Sequence, residues 1–190
     1  FGLQTMGEKA IAATQPDGNM SLDLKIEQVK QYPTKDGEVT EILLKDKVYP
    51  FEIKQYYKAY QGTDIISTWI EIMNNGKKSV TLYRFVSAYL PVQRGDNWLT
   101  HFHGHWGAEN MLEEEKLTNG QKVISNKDGM VNTETDNPSF MLSIDGKPQE
   151  EYGHILGGTL AWTGNYLLKM DITNTKLNII AGINEENSHY

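Results

Sequence analysis

The chain has 190 residues, which is enough for one well-buried domain and does not require a second. Its formal net charge of −7 argues against nucleic-acid binding, which needs a face rich in Lys and Arg, and no apolar run approaches the roughly 20 residues that cross a bilayer. The absence of cysteine excludes disulfides and thiolate metal sites but leaves the compartment open. The chain opens on Phe1 without a signal-like stretch, so we expect a processed or truncated product.

Alternation of apolar and polar residues with a period of two dominates the chain and predicts strands. The first clear run follows a Pro-Asp-Gly-Asn turn at residues 16–19. Its apolar members share one face: Met20, Leu22, Leu24 and Ile26. Strands are predicted next over residues 39–44 and 48–57.

The strongest strand signal lies between Asp64 and Val92. Ile66, Ile70 and Ile72 share one face, while Ile65, Trp69 and Met73 share the other, so we expect both faces to be covered. The sequence Asn-Asn-Gly-Lys at 74–77 predicts a tight reversal, with residues 80–90 returning as the partner strand.

Later strands are predicted over residues 97–101, 121–126, 139–144, 154–162, 166–173 and 177–183. Residues 109–117 come closest to a helical pattern, although their Glu run is equally typical of a solvated loop. About a dozen strands with short turns indicate an all-β sandwich of two packed, mostly antiparallel sheets. We expect a single domain from residue 1 to residue 190.

The residues richest in possible chemistry include His101, His103 and His105, which occupy every second position. Such side chains point to one side of a strand, and two imidazoles there can bind zinc or copper, with His154 as a third ligand. Gly104 is expected to interrupt the strand and redirect His105. The alternative, which we favour, is that these histidines line the edge of a sandwich, so we predict no metal and no cofactor.

The same segment can also contact sugar. Indole faces stack on the apolar C–H faces of pyranose rings, and imidazoles exchange hydrogen bonds with hydroxyl groups. These chemistries give four candidates for sugar binding or for the rim of a sugar pocket: Trp106, His103, His101 and Trp98. Tryptophans in a β sandwich more often belong to the core, which leaves a structural role open for each.

Glycoside hydrolysis needs two carboxylates that flank the glycosidic oxygen. With 25 acidic residues in the chain, pairs arise by chance, and the run from Glu113 to Glu115 is expected to be a solvated face. We therefore assign no catalytic residue in this chain. Gly157 and Gly158, inside a strand-like run, predict a bulge or a close backbone approach.

Ordered motifs run through the whole chain. They are residues 16–24 (PDGNMSLDL), 69–76 (WIEIMNNG), 103–106 (HGHW), 137–140 (NPSF), 158–165 (GTLAWTGN) and 181–184 (AGIN). In this order and spacing they resemble the N-terminal domain of glycoside hydrolase family 36 α-galactosidases, also called melibiases. Thr163 stands where the family has Ser, and residues 1–9 fit loosely.

The resemblance implies a β-supersandwich of the galactose-mutarotase-like fold that precedes a catalytic (β/α)8 barrel, expected after Tyr190. That barrel would hold both aspartates of a retaining mechanism acting on terminal α-galactosyl residues of melibiose- or raffinose-type oligosaccharides. The implied partners are the barrel, further copies of the enzyme in a homo-oligomer, and the galacto-oligosaccharide substrate, in a bacterial periplasm or cytoplasm. The domain itself would be non-catalytic, supporting assembly and presenting residues 1–7 or 101–106 at the rim of the sugar pocket.

Two alternatives from other functional classes stay open. A free-standing carbohydrate-binding module would bind galactose or raffinose by itself. A mutarotase-like aldose epimerase would use a histidine acid, with His103 as the candidate, and a carboxylate base.

Overall fold

The computed structural model describes residues 9–129, 136–162 and 164–186. Within these ranges every regular element is a β-strand, and no helix has the length and hydropathy of a membrane span. The expected all-β fold class is therefore confirmed. Thr163 and the loop candidate at residues 1–7 lie outside the described residues.

Thirteen strands are described, and their bounds agree with most of the sequence-based expectations. They are β1 (Ile11–Thr14), β2 (Leu24–Thr34), β3 (Gly37–Asp46), β4 (Phe51–Tyr60), β5 (Ile66–Asn74), β6 (Thr81–Gln93), β7 (Trp98–His105), β8 (Ala108–Lys116), β9 (Gly120–Asn126), β10 (Asp136–Ser143), β11 (Ile155–Thr159), β12 (Tyr166–Ile172) and β13 (Lys176–Ile183).

The chain divides into two compact units. The N-terminal unit contains residues 11–87, and the C-terminal unit contains residues 88–186 together with residues 9 and 10. The strand β6 begins in the first and ends in the second. A single domain over the whole chain stays a prediction.

The N-terminal unit packs a four-stranded sheet, in the order β2-β3-β4-β5, against the antiparallel pair of β1 and β6. Phe51 and Ile53 of β4 and Ala13 of β1 are almost fully buried and form the centre of its core. Apolar side chains of β2, β3, β5 and β6 surround them. The two packed layers expected from the alternating pattern are thus present in this unit.

The start of β2 buries only part of the face that the sequence pattern predicted to be buried. Leu22 and Leu24 pack on the core, but the register with β3 shifts between Ile26 and Gln28. Ile26 precedes the extra residue and so lies on the same face as Leu24, yet on this edge strand it is 65% exposed. Met20, which precedes the strand, is also exposed.

The predicted pairing of residues 64–74 with residues 80–90 is wrong. β5 pairs with β4 and forms an edge of the four-stranded sheet, whereas β6 pairs with β1. The Asn74 side chain explains the wider connection, because its amide donates to the Lys78 carbonyl (2.8 Å) and its oxygen accepts from the Gly76 N–H (3.0 Å). Ile70 and Ile72 face the core as expected, but Ile65 and Ile66 are 59% and 67% exposed.

The C-terminal unit also packs two sheets, one in the order β6-β13-β12-β9 and one in the order β11-β10-β7-β8. Its core contains Leu99 of β7, Leu142 of β10 and Met170 of β12, all with no measurable exposure. Ala88, Leu90 and Val92 of β6 pack against this core. Counted over both units, the described strands form three sheets, and the pairings whose register is defined are antiparallel.

The acidic segment at residues 109–117 is neither a helix nor a loop. It forms most of β8, paired with β7 over almost its full length. Cross-strand pairing on a partly buried face overrides the weak helical pattern.

Gly157 and Gly158 lie in a regular part of β11 without a bulge, and a side chain rather than backbone packs closely on the second glycine. Gly158 of β11 lies opposite Phe140 of β10, and a Cβ built at Gly158 would stand 2.5 Å from the Phe140 ring. Phe140 is only 7% exposed, so its ring has no free space to move into. A Cβ at Gly157 would meet nothing closer than 3.9 Å.

We expect Gly158→Ala to lower the free energy of unfolding by about 1–3 kcal/mol, because the added methyl group overpacks a filled core. Gly157→Ala is the matched control, with an expected change below about 0.5 kcal/mol. Urea unfolding followed by Trp fluorescence measures both. Equal stabilities of the two variants would contradict the contact.

Asp46, at the end of β3, binds three backbone N–H groups. One carboxylate oxygen accepts from Val48 (2.9 Å) and Tyr49 (3.0 Å), and the other accepts from Asp23 (2.8 Å). Burial alone would raise the pKa of this carboxyl, but the N–H donors outweigh burial and hold the pKa below its usual value.

We expect Asp46→Ala to lower the free energy of unfolding by about 1–2 kcal/mol at neutral pH, with Asp46→Asn intermediate because it keeps one acceptor oxygen. The folded pKa is lowered, so the stabilisation is present above the unfolded pKa of about 4 and is lost as pH falls through the folded pKa. Urea unfolding at about pH 7 and below pH 3 should show the difference from wild type shrinking in acid. A difference in unfolding free energy that is the same at both pH values would contradict this role of the Asp46 carboxylate.

Candidate functional site

The β7–β8 hairpin carries all four residues that the sequence singled out for sugar contact. Its two-residue turn, Trp106-Gly107, lies between His105 and Ala108, which face each other as the last pair of the ladder. Gly107 takes a positive φ of 79°, which suits such a turn. The Trp106 side chain is 82% exposed at the tip of the hairpin.

The two histidines next to the tip face different surroundings. The β7–β8 register shifts between His103 and His105, but the extra residue lies on β8, where Asn110 takes a positive φ of 55°. The expected interruption of β7 at Gly104 is therefore wrong, since the strand runs unbroken through that residue. His105 places Nδ1 3.1 Å from the Trp106 carbonyl oxygen. The exposed His103 places Nδ1 3.5 Å from Oε2 of Glu113.

His101 is buried, with 2% of its surface exposed. Its cross-strand partner on β8 is Glu113, and Leu99, two residues earlier on the same face, lies opposite Glu115. His101 Nε2 lies 3.5 Å from Oε2 of Glu113 and 3.6 Å from Oε1 of Glu115. Lys122 of β9 forms an ion pair with the same Glu115 carboxylate. We call His101, Glu113, Glu115 and Lys122 the His101 cluster.

Trp98 starts β7 and lies at the opposite end of the strand from the tip. Its ladder partners are Lys116 of β8 and Ser143 of β10, and the ammonium of Lys147 stands 5.5 Å from its ring. The strand rise of about 3.3 Å per residue puts Trp98 about 25 Å from Trp106. The hairpin therefore brings Trp106 and His103 together at an exposed end and leaves Trp98 outside that group.

His154, considered as a further metal ligand, lies just before β11 and is paired elsewhere. Its Nδ1 is 2.8 Å from Oδ2 of Asp145, and its backbone N–H donates to Oδ1 of the same carboxylate. These two contacts hold the pKa of Asp145 below its usual value. Among the described residues, the group with the spacing of a metal site consists of His101, Glu113 and Glu115, without His154.

The Asp-Gly-Asn motif near the chain start builds a turn rather than a chemical site. Asp17 accepts from the Asn19 N–H (3.1 Å) and from the Tyr49 hydroxyl (2.8 Å), and Asn19 donates to that hydroxyl oxygen (2.9 Å). The bond from the Asn19 N–H, followed by the bond from Tyr49, holds the pKa of Asp17 below its usual value. Gly18 takes a φ of 87° within this turn.

A shallow cavity of about 270 Å³ adjoins the turn and involves a second motif. Asn74 and Gly76 of the WIEIMNNG motif line it together with Asp17 and Tyr49. The Asn75 N–H donates to the Pro50 carbonyl (2.8 Å), which fixes this wall. Asp17 is the one carboxylate among the residues that line this cavity, and its oxygens are already bound to Asn19 and Tyr49.

Asparagines of the last two motifs interlock in the C-terminal unit. The backbone N–H of Asn184 donates to the Asn165 carbonyl (3.1 Å), and the Asn184 side chain donates to the Asn126 carbonyl (3.3 Å). Trp162 Nε1 donates to the same Asn165 carbonyl (3.1 Å). These motifs therefore join β9, β12 and β13 at one end.

A second open cavity, of about 500 Å³, lies beside Arg94 in the C-terminal unit. The guanidinium of Arg94 is already bound to backbone carbonyls of Gly95 (2.5 Å), Thr173 (3.3 Å) and Leu117 (3.3 Å). It also donates to the Asn97 side chain (3.0 Å). Arg94 thus joins loops and offers little to a ligand.

Sequence reasoning missed the role of Glu113 and Glu115, which were expected to form a solvated face. Both are partly buried and turn toward His101, whereas Glu114 between them points to the other face and pairs with Lys147 (3.0 Å). If residues 109–117 are treated as a strand, the alternation of side chains predicts that Glu113 and Glu115 share one face and that Glu114 lies on the other.

Comparison with known proteins identifies the family. The family model described as the glycosyl hydrolase family 36 N-terminal domain matches residues 1–190. The α-galactosidase AgaA of Geobacillus stearothermophilus is 25% identical over 137 residues, covering 72% of this chain and 18% of that protein. The α-galactosidase Mel36A of Lactobacillus acidophilus is 26% identical over 194 residues, covering 94% of this chain and 26% of that protein.

Solved structures agree on the fold. The crystal structure of AgaA from Geobacillus stearothermophilus superposes with a TM-score of 0.90 at 22% identity, over 97% of this chain and 28% of that one. The galactosidase domain of the α-galactosidase–sucrose kinase AgaSK superposes with a TM-score of 0.88 at 22% identity, again over 97% of this chain and 28% of that one. The chain thus spans between 18% and 28% of the length of these larger proteins. Both the family model and the fold bear out the motif-based resemblance, and the chain belongs to the N-terminal domain family of glycoside hydrolase family 36 α-galactosidases.

Proposed function

We propose that this chain is the non-catalytic N-terminal domain of a retaining α-galactosidase. Joined to a catalytic (β/α)8 barrel, it would support assembly of the enzyme and place the tip of the β7–β8 hairpin at the rim of the sugar pocket. The substrates would be terminal α-galactosyl residues of melibiose- or raffinose-type oligosaccharides. The observation that carries the proposal is Trp106, whose indole is 82% exposed on a two-residue turn beside His103.

The arrangement of carboxylates supports a non-catalytic role. Glu113 and Glu115 bring oxygens within 4.8 Å of each other, but they are neighbours on the same face of one strand. A glycosidase needs an acid and a nucleophile on either side of the glycosidic bond. Two side-by-side carboxylates that point toward a buried imidazole leave no space for a sugar between them.

The substrate class follows from relatives. Structures of AgaA variants from Geobacillus stearothermophilus are described as complexes with stachyose and with raffinose. An exposed indole stacks on the C–H face of a sugar ring beyond the terminal galactose. We therefore place Trp106 at the outer end of the pocket, where it would contact oligosaccharides more than small aryl galactosides.

The isolated chain is expected to show no turnover of an aryl α-galactoside and no change in Trp fluorescence with millimolar galactose or raffinose. Turnover would contradict the non-catalytic role, and saturable binding of raffinose by the chain alone would favour a free-standing carbohydrate-binding module.

In the enzyme that contains this domain, Trp106→Ala is expected to raise KM for raffinose about fivefold, corresponding to about 1 kcal/mol, and to leave KM for an aryl α-galactoside unchanged. Tyr152→Ala is the matched control, because Tyr152 is a comparably exposed aromatic residue (75%) outside the hairpin. Equal effects of the two substitutions on raffinose would remove Trp106 from the rim.

One observation favours the epimerase alternative. Nδ1 of the exposed His103 lies 3.5 Å from Oε2 of Glu113. Mutarotation needs an acid and a base close together, and these two side chains would supply them. Polarimetry of galactose mutarotation in the presence of the chain tests it. A rate above buffer that His103→Ala abolishes would establish the epimerase; a rate unaffected by His103→Ala would remove it.

A further inference from the structure

The His101 cluster contains a buried imidazole whose polar atoms are not satisfied by hydrogen bonds. Among the described residues, neither Nδ1 nor Nε2 of His101 has a hydrogen-bond partner, although its side chain is only 3% exposed. Leaving a buried polar atom unpaired costs about 1–3 kcal/mol. The Nε2 atom points at the carboxylates of Glu113 and Glu115, so a compensating interaction should be found there.

The separations between these atoms are long for hydrogen bonds. Nε2 lies 3.5 Å from Glu113 and 3.6 Å from Glu115, whereas N–H···O bonds usually span about 2.7–3.2 Å. In a tetrahedral zinc site with bonds of about 2.0–2.1 Å, two ligand atoms lie about 3.3–3.4 Å apart. Small side-chain adjustments therefore suffice to bring all three atoms into contact with one ion.

We propose that His101, Glu113 and Glu115 form a binding site for one Zn²⁺ ion. One nitrogen and two carboxylate oxygens, all within 4.8 Å of one another, are donors that zinc accepts. Ca²⁺ and Mg²⁺ are poorer occupants, because they need six or more oxygen ligands or retained waters. The fourth position is open to water or to His103, whose Nδ1 is 3.5 Å from the Glu113 carboxylate.

The strands supply these ligands in a fixed arrangement. His101 lies directly opposite Glu113 in the β7–β8 ladder, and Glu115 follows two residues later on the same face. His101 also pairs with Phe140 of β10 on its other side, so its strand is held from both edges. A bound ion would thus cross-link two adjacent strands, which is a stabilising role and not a catalytic one.

Lys122 is the group that opposes this proposal, because its ammonium already pairs with Glu115. Two carboxylates against one ammonium still leave one net negative charge, which favours a cation. The Lys122 side chain is 29% exposed, so its flexible end can move toward solvent when an ion binds. Removing its charge should therefore strengthen zinc binding rather than weaken it.

The competing interpretation is an ion-pair network in which Lys122 balances the carboxylates without any metal. The metal site and the ion-pair network predict different zinc affinities for the Glu→Gln variants and different effects of Lys122→Met. An ion-pair network predicts no affinity for zinc in any variant, and it predicts that Lys122→Met lowers stability without a metal effect.

The test is isothermal titration of ZnCl₂ into the untagged, chelator-treated full chain, with MgCl₂ as a parallel titrant. We expect one zinc per chain with a Kd of about 10 µM or tighter, an increase of the unfolding temperature at saturating zinc, and no heat with Mg²⁺. Glu113→Gln and Glu115→Gln should each weaken zinc binding at least about tenfold. Glu114→Gln is the matched control, since it removes a charge from the same strand on the opposite face and should leave Kd unchanged.

Lys122→Met keeps the test decisive if a Gln variant folds poorly, because it is expected to tighten Kd about threefold or more. Absence of zinc binding by the wild-type chain up to about 1 mM would overturn the proposal. So would equal affinities of wild type, Glu113→Gln and Glu115→Gln, since zinc would then be bound elsewhere, for example at the His154–Asp145 pair.

Discussion

The antiparallel register between β7 and β8 decides which side chains meet in the C-terminal unit. Because side chains alternate along each strand, this register places His101, Glu113 and Glu115 on one face and sends Glu114 to the other. The same ladder ends in the pair His105–Ala108 and so puts Trp106 at the tip. A shift of one residue would bury Glu114 in place of its neighbours and would disperse the His101 cluster.

The family motifs act mainly through geometry. Gly158 leaves space for the ring of Phe140, and Asp17 anchors the hydroxyl of Tyr49, so each motif fixes a contact between parts of the chain that are distant in sequence. Such contacts need particular residues because no other side chain has the same size or the same acceptor atoms. This explains why residues without catalytic chemistry carry the resemblance to a family of enzymes.

Much of the fold was predictable, because period-two alternation marks strands directly. Eleven of the thirteen described strands overlap predicted ones, and the exceptions are β1 and β8. The pairing of strands was harder to predict from the sequence. The turn at Asn74 suggested a hairpin, but its side-chain bonds to Gly76 and Lys78 open a wider connection. For the site, the exposure of Trp106 fits its predicted role, whereas the burial of His101 and the inward turn of Glu115 depend on a ladder that local sequence patterns do not specify.

The β-bulge near Ile26 has a consequence for the behaviour of the protein at high concentration. β2 is an edge strand of its sheet, and an edge offers unpaired N–H and C=O groups to other chains. The bulge twists this edge, and Pro33, which has no N–H to donate, lies further along the same strand. Lys25, Glu27 and Lys30 also keep this edge strand charged. The strand that exposes Ile26 is thereby a poor template for intermolecular β-pairing, and the chain is protected against aggregation along this edge.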